Sequence, residues 1–372
     1  MKNKQNVPRA MLKPLAEDIA RYIKTNEGCL SILEIIEDIP YDIRAEVIEG
    51  LSSFHNQFMV NFFQLVKLEY GREFDLICTR ALAKYKLAGL EPHFPPLVGG
   101  GFYRAFASTS RNTGRMTVDV AWQRRDGRLY VECFFLAFSP DGVHSFFVIE
   151  DMQQEQYEQD RDNQSDLVEV DYGETCMLVA DAYEFNVRFM SRPALGRFLY
   201  QKYLDEDLKD EDNSITTLLR KLSPRLAPRQ LVNSFFHALR CQDFNYLFSI
   251  VDEGSLSQGA LLQQINLAIK PGTMLLEGRV EEICGSHNNL GLSAYSLTVY
   301  EREVYRSEYQ FSVCRDQLGQ WLVTNIAQTA HTKLEKGSST DPFAVPVFCR
   351  VYEIINVDDL FEVLDRVDNI RE

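Results

Sequence analysis

The sequence predicts a multidomain α+β protein, and three features carry that reading. Apolar residues recur at three- and four-residue spacing from about residue 14 to 90. The period then switches to two, through a stretch holding the hairpin dipeptides Asp126-Gly127 and Asp141-Gly142. After Pro228 both periods occur in one segment, helical first and strand-like after. At 372 residues the chain is long for a single core. Its 45% apolar and 25% charged residues are those of an ordinary globular protein.

Residues 1–13 are expected to form a disordered basic tail, since "MKNKQNVPRAMLKP" holds four bases and no acid. No apolar run of signal-peptide length follows it. Residues 14–92 read as a helical array: "LAEDIARYIKTN", "CLSILEIIEDI", "YDIRAEVIEGLSSF", "NQFMVNFFQLVKLEY" and "FDLICTRALAKYKLAGL". The breaks fall at Gly28, Pro40, Gly71 and Gly89, residues that stop helices. Such a series of short helices resembles HEAT or armadillo repeats, with a plain helical bundle as the alternative.

Residues 93–152 are expected to form a small antiparallel β region, with strands at about 116–124, 128–138 and 143–149. Gly99 to Gly101 lack the Gly-Lys-Ser/Thr ending of a phosphate loop and the spaced glycines of a dinucleotide turn, so they read as a flexible turn between helix and sheet. Residues 153–222 read as an acidic helical segment and linker, with helices in "ETCMLVADAYEFNVRFM" and "PALGRFLYQKYL". From Glu150 to Lys221 there are 18 acids and 8 bases, a net −10 out of the chain's −15. A solvated acidic face is the first reading and a docking site for a basic partner the second. "DRDNQSD" lacks the glycine and terminal glutamate of a calcium loop.

Charge and cysteine usage exclude several function classes. A net −15 argues against nucleic acid, which needs a basic face. The eight cysteines are scattered singly with no CxxC pair, so they are expected to be buried free thiols in a reducing compartment. No window approaches the roughly 18–20 apolar residues of a membrane span. The expectation is a cytoplasmic protein with no membrane contact, no metal and no cofactor.

Residues 223–332 hold the most specific signal. "PRQLVNSFFHALRCQ", "DFNYLFSIVDEG" and "SQGALLQQINLAIKPG" read as helices, followed by strands "MLLEGRVEEICG", "LGLSAYSLTVYERE", "VYRSEYQFSVCRD" and "QWLVTNIAQ". In the third strand Tyr305, Ser307, Tyr309, Phe311 and Val313 share a face. The run "FFHALRCQDFNYLFSIVDE", the long strands and the closing "GQWLVTNIA" resemble the nuclear transport factor 2-like (ketosteroid-isomerase-like) superfamily over about 100 residues, 228–330. That resemblance implies a cone-shaped domain, a curved antiparallel sheet wrapped around a long helix and enclosing a pocket.

The first helix of this domain fixes what can face such a pocket. Leu231, Val232, Phe235, Phe236 and Leu239 fall within one arc of a helical wheel, with His237 and Cys241 on the opposite side. His237 is therefore expected to point away from any pocket, in a surface or interdomain role. The isomerase-like members carry a tyrosine on the first helix and an acid after the second. Here the tyrosine's place falls to Phe235 and the acid's near Gly259, so no catalytic residue is assigned. The expected ligand-binding residues of the cone interior are Phe235, Leu239, Tyr295, Tyr305, Tyr309 and Trp321.

The leading expectation is a non-catalytic interaction or scaffold protein. Its cone would bind a small apolar ligand or a peptide, or would support assembly, including a homodimer through the sheet face. The alternative is an isomerase, dehydratase or cyclase using the cone as active site, with Glu277 or Glu282 as its acid. Residues 333–372 are expected to form a linker around Gly337, a strand in "VPVFCRVYEII" and an amphipathic helix in "VDDLFEVLDRVDNI". The Leu360, Phe361, Val363, Leu364 and Val367 stripe of that helix would pack on the chain's own domains or on a partner.

Overall fold

The computed structural model describes residues 8–93, 100–205, 214–268, 272–286 and 288–334. The strand and helix expected beyond Gly337 lie outside the described residues. The chain is α+β, with amino-terminal helices, one antiparallel sheet, and a second antiparallel sheet after it. It divides into two compact units, Met1–Ser108 with Met116–Asp212, and Thr109–Arg115 with Asn213–Glu372.

The first unit opens with five helices: α1 (Arg9–Tyr22), α2 (Asn26–Asp38), α3 (Tyr41–Leu51), α4 (Gln57–Tyr70) and α5 (Asp75–Leu87). Their starts are set by side chains that accept orphan amides. Thr25 accepts from Gly28 N and Asn56 from Met59 N, both at 3.0 Å. Residues 8–13 of the expected basic tail are not disordered, because α1 begins at Arg9 and buries Leu12. α1 packs on α2, α3 and α4 around one core that includes Ile19, Ile48, Phe62 and Phe63.

The sheet of this unit has the order β4-β3-β2-β1-β5, from β1 (Gly101–Ser108), β2 (Arg115–Gln123), β3 (Leu129–Ala137), β4 (Gly142–Met152) and β5 (Leu167–Val170). Two of these strands correct the sequence reading. Gly101 starts β1 rather than ending a flexible turn, and β1 pairs antiparallel with β2 on one side and β5 on the other. β5 lies inside the acidic segment read as helical. Between β4 and β5 comes α6 (Gln154–Asp162), and after β5 come α7 (Tyr172–Phe189) and α8 (Arg197–Tyr200). A capping box starts α7, with Glu174 N donating to Asp171 and Asp171 N to the Glu174 carboxylate.

The second unit contains α9 (Ile215–Lys221), α10 (Pro228–Cys241), α11 (Phe244–Ser249), α12 (Gln258–Ala268) and a four-stranded antiparallel sheet. That sheet runs in chain order through β6 (Met274–Ser286), β7 (Asn289–Tyr300), β8 (Glu303–Arg315) and β9 (Trp321–Lys333). α10 starts at Pro228, where the missing amide would be orphaned anyway, and Gln230 reaches back to accept from Ala227 N at 2.9 Å. Its apolar arc is buried as the wheel predicts, with Leu231, Val232, Phe235 and Phe236 at most 3% exposed. α10 lies against β6, β7 and β9. Gly278 of β6 permits this closeness, since a Cβ there would overlap the Phe236 ring.

Candidate functional site

Two cavities flank Phe236, and their walls differ in chemistry. The first is a chamber of about 330 Å³ between α10, α12 and the strands β8 and β9. Phe235, Phe236, Leu239, Tyr309, Phe311 and Ile326 make its apolar wall, with Gln264 and Gln328 among the rest. The rings pack edge-on: Phe235 to Phe311 at 5.3 Å, Phe236 to Phe311 at 5.6 Å and Phe236 to Tyr309 at 5.8 Å. The Tyr309 hydroxyl accepts from Ser296 Oγ at 3.3 Å. None of the described residues that line this chamber carries a carboxyl or an imidazole.

Of the six residues expected in the interior, the structure brings Phe235, Leu239 and Tyr309 together in this chamber. The other three are placed elsewhere. Tyr295 projects from the opposite face of β7 to Ala294 and Ser296, into a cluster with Leu297, Val299 and Val304, and the Arg306 guanidinium lies 4.5 Å from its ring centre. Both faces of β7 are buried, so an interior tyrosine on that strand had two addresses. Tyr305 stacks on His331 with ring centres 4.8 Å apart, and its hydroxyl donates to Glu303 at 2.7 Å. Trp321 is buried at the start of β9 under Arg315, 4.8 Å away, and lines neither cavity.

The second cavity, about 570 Å³, lies between α10, the start of β6 and loop residues Asn112 and Thr113. Its wall includes Asn233, Phe236, His237, Arg240, Leu275 and Glu277. His237 therefore faces a cavity, contrary to the wheel's implication. The reason is long-range: residues 109–115 return to cover what the helix alone presents as a polar face. A Cβ on Gly114 would overlap the His237 ring, which shows how closely the loop sits. Arg240 donates toward His237 Nδ1 at 3.3 Å. Burial, and then the Arg240 charge, lower the His237 pKa below its ordinary value, so the ring is neutral at neutral pH. Glu277 is buried at 8% exposure on this wall, whereas Glu282 is exposed.

The other chemistry-bearing groups have structural surroundings. In the first unit, Glu132 is 1% exposed and accepts from Trp122 Nε1 at 2.8 Å, Lys202 Nζ at 2.9 Å and the Tyr203 hydroxyl. Sequence reading missed this site because its four members come from β2, β3 and the turn after α8. Cys29, Cys78, Cys133 and Cys176 are buried free thiols; burial pushes Cys29 and Cys78 up to about 12 and Cys176 to about 11, which keeps them unreactive. Cys284 is exposed. Among the described residues no cluster of three or more His, Cys, Asp or Glu side chains could hold a metal ion. No described helix is long and apolar enough to cross a membrane.

No family model matches the chain, and no curated protein matches it. Among solved structures, a cystatin-like protein from Ruminococcus gnavus ATCC 29149 aligns over 88% of this chain and 94% of its own, at 10% identity and a TM-score of 0.14. At that score the likeness carries no argument about fold or function.

Proposed function

We propose that this chain is a non-catalytic binding protein whose carboxy-terminal unit, a nuclear transport factor 2-like domain, holds a small apolar ligand between α10 and its sheet. The observation that carries the reading is the chamber of about 330 Å³ walled by Phe235, Leu239, Tyr309, Phe311 and Ile326. Its volume lies at the small end of ligand sites, which run from about 300 to 1,000 Å³. Proton transfer next to a carbonyl needs a base and a donor, and the chamber's wall supplies a single tyrosine hydroxyl. Binding is therefore favoured over isomerase, dehydratase or cyclase chemistry.

Native mass spectrometry of the purified chain, gentle and then denaturing, tests this. A small apolar molecule should leave on denaturation, and Gln328→Trp, at an exposed lining position that pairs with Tyr309 and shares its face, should fill the chamber and remove it. A clean apo mass, together with no 1-anilinonaphthalene-8-sulfonate uptake that Gln328→Trp abolishes, would overturn it.

A further inference from the structure

The apolar chamber is walled largely by aromatic rings, those of Phe235, Phe236, Tyr309 and Phe311. The Phe236 ring meets Phe235 at 87°, Phe311 at 76° and Tyr309 at 62°. Rings crossed at such angles set the electron-poor edge of one against the electron-rich face of the next. A wall built this way offers edges and faces side by side, and an aromatic guest can extend both kinds of contact. A saturated ring system of the same outline gains only from the area it buries.

Charge and size narrow the class further. Besides Tyr309, the polar side chains on the wall are Gln264 and Gln328, both neutral amides. Among the described residues no acidic, basic or imidazole side chain lines the chamber. An ionised ligand would therefore give up its water without gaining a counter-charge. The volume of about 330 Å³ is roughly twice the ~150 Å³ of a cavity that holds benzene. Two fused rings fit it better than one.

We infer that the chamber's ligand is a neutral, flat aromatic molecule of two fused rings, carrying one uncharged hydrogen-bonding group for Gln264 or Gln328. This rests on the binding role proposed above and names the class of ligand. Titration calorimetry of the full chain with 2-naphthol, its saturated counterpart decahydro-2-naphthol and the anion 2-naphthoate tests it. 2-Naphthol should bind about tenfold more tightly than decahydro-2-naphthol, the effect of one or two aromatic edge contacts. 2-Naphthoate should not bind. Gln328→Trp should abolish binding of both alcohols, which places them in the chamber. Phe235→Leu and Phe311→Leu each keep apolar bulk, remove one ring and should narrow the preference to about threefold. If the two alcohols bind equally and Gln328→Trp removes both, the aromatic assignment falls while the apolar-ligand reading stands. If neither alcohol binds at up to about 1 mM, both fall. The assignment is overturned equally by 2-naphthoate binding as tightly as 2-naphthol, by 2-naphthol binding that survives Gln328→Trp, or by an unchanged preference in folded leucine variants.

Discussion

Arg111 and Asp243, 132 positions apart in sequence, form a buried two-pronged ion pair, with Nε to Oδ2 and Nη2 to Oδ1 both at 2.8 Å. Their side chains are 2% and 3% exposed. Asp243 also caps α11, accepting from Tyr246 N at 3.2 Å. One carboxylate thus fixes the α10–α11 junction and the 109–115 loop together, and that loop closes the larger cavity.

Breaking this pair from one side leaves a buried charge without its counter-ion. Arg111→Met should cost about 3–5 kcal/mol, and Asp243→Ala should cost about 1 kcal/mol more through the lost cap. The double variant Arg111→Met/Asp243→Leu removes both charges and should recover most of the loss. Hydrogen exchange of the α10 and α11 amides reads the effect locally. If the double variant is as unstable as the two single costs added, the pair is not the coupled unit described.

Gly278 and Phe236 give a packing test. Gly278→Ala drives a methyl into the ring and should destabilise by about 1–3 kcal/mol. Phe236→Leu removes the obstructing ring, so the double variant should be more stable than additivity allows. Urea unfolding of the four proteins checks the sign. Strict additivity would mean that the ring yields without cost.

How much of this was legible depends on how local each signal is. The five amino-terminal helices, α10 with its buried arc, and the four carboxy-terminal strands follow from period and breaker residues within each segment. β1 was hidden because its short run opens on the last of three consecutive glycines, and β5 because its four residues sit among acids. Both exist as strands through partners elsewhere: Ala105 to Ser108 of β1 pair with Val170 to Leu167 of β5. The site was half legible for the same reason. Phe235 and Leu239 could be placed from the wheel, while Tyr295 needed the register of β7 to be assigned a face. The covering of His237 and the Arg111–Asp243 pair depend on a loop more than 120 residues upstream, which no local pattern encodes.

His237 predicts a pH dependence with a definite sign. Burial and Arg240 lower its folded pKa below 6.5, while Asp243 and the Thr113 backbone oppose them without winning. The folded state then holds this proton less firmly than the unfolded chain. Stability from this group is complete above the unfolded value and declines as pH falls through it toward the folded value. Against wild type, His237→Gln should lose less stability between about pH 7.5 and pH 5.5. Thermal unfolding across that range decides it, and parallel curves for the two proteins would refute the assignment.

Glu37 predicts the opposite kind of linkage in the first unit. Its carboxylate accepts from Arg192 Nη1 at 2.6 Å, from the Tyr70 hydroxyl at 2.7 Å and from Arg44 Nη1 at 3.0 Å. Burial alone would raise its pKa, but the bonds from Arg192 and Tyr70 and the two guanidinium charges outweigh it and hold the carboxyl below its ordinary value of 4.5. A lowered folded pKa stabilises above the unfolded value, and that contribution is lost as pH falls through the folded one. Glu37→Gln should therefore cost about 2 kcal/mol at neutral pH, the scale of a hydrogen bond to a charged group. The gap to wild type should close as pH falls below about 4. Arg192→Met should show the same closing gap, since it removes one of the charges that set the shift. Chemical unfolding at neutral and acidic pH measures both, and a gap that stays constant with pH would show that Glu37 acts through shape and not through charge.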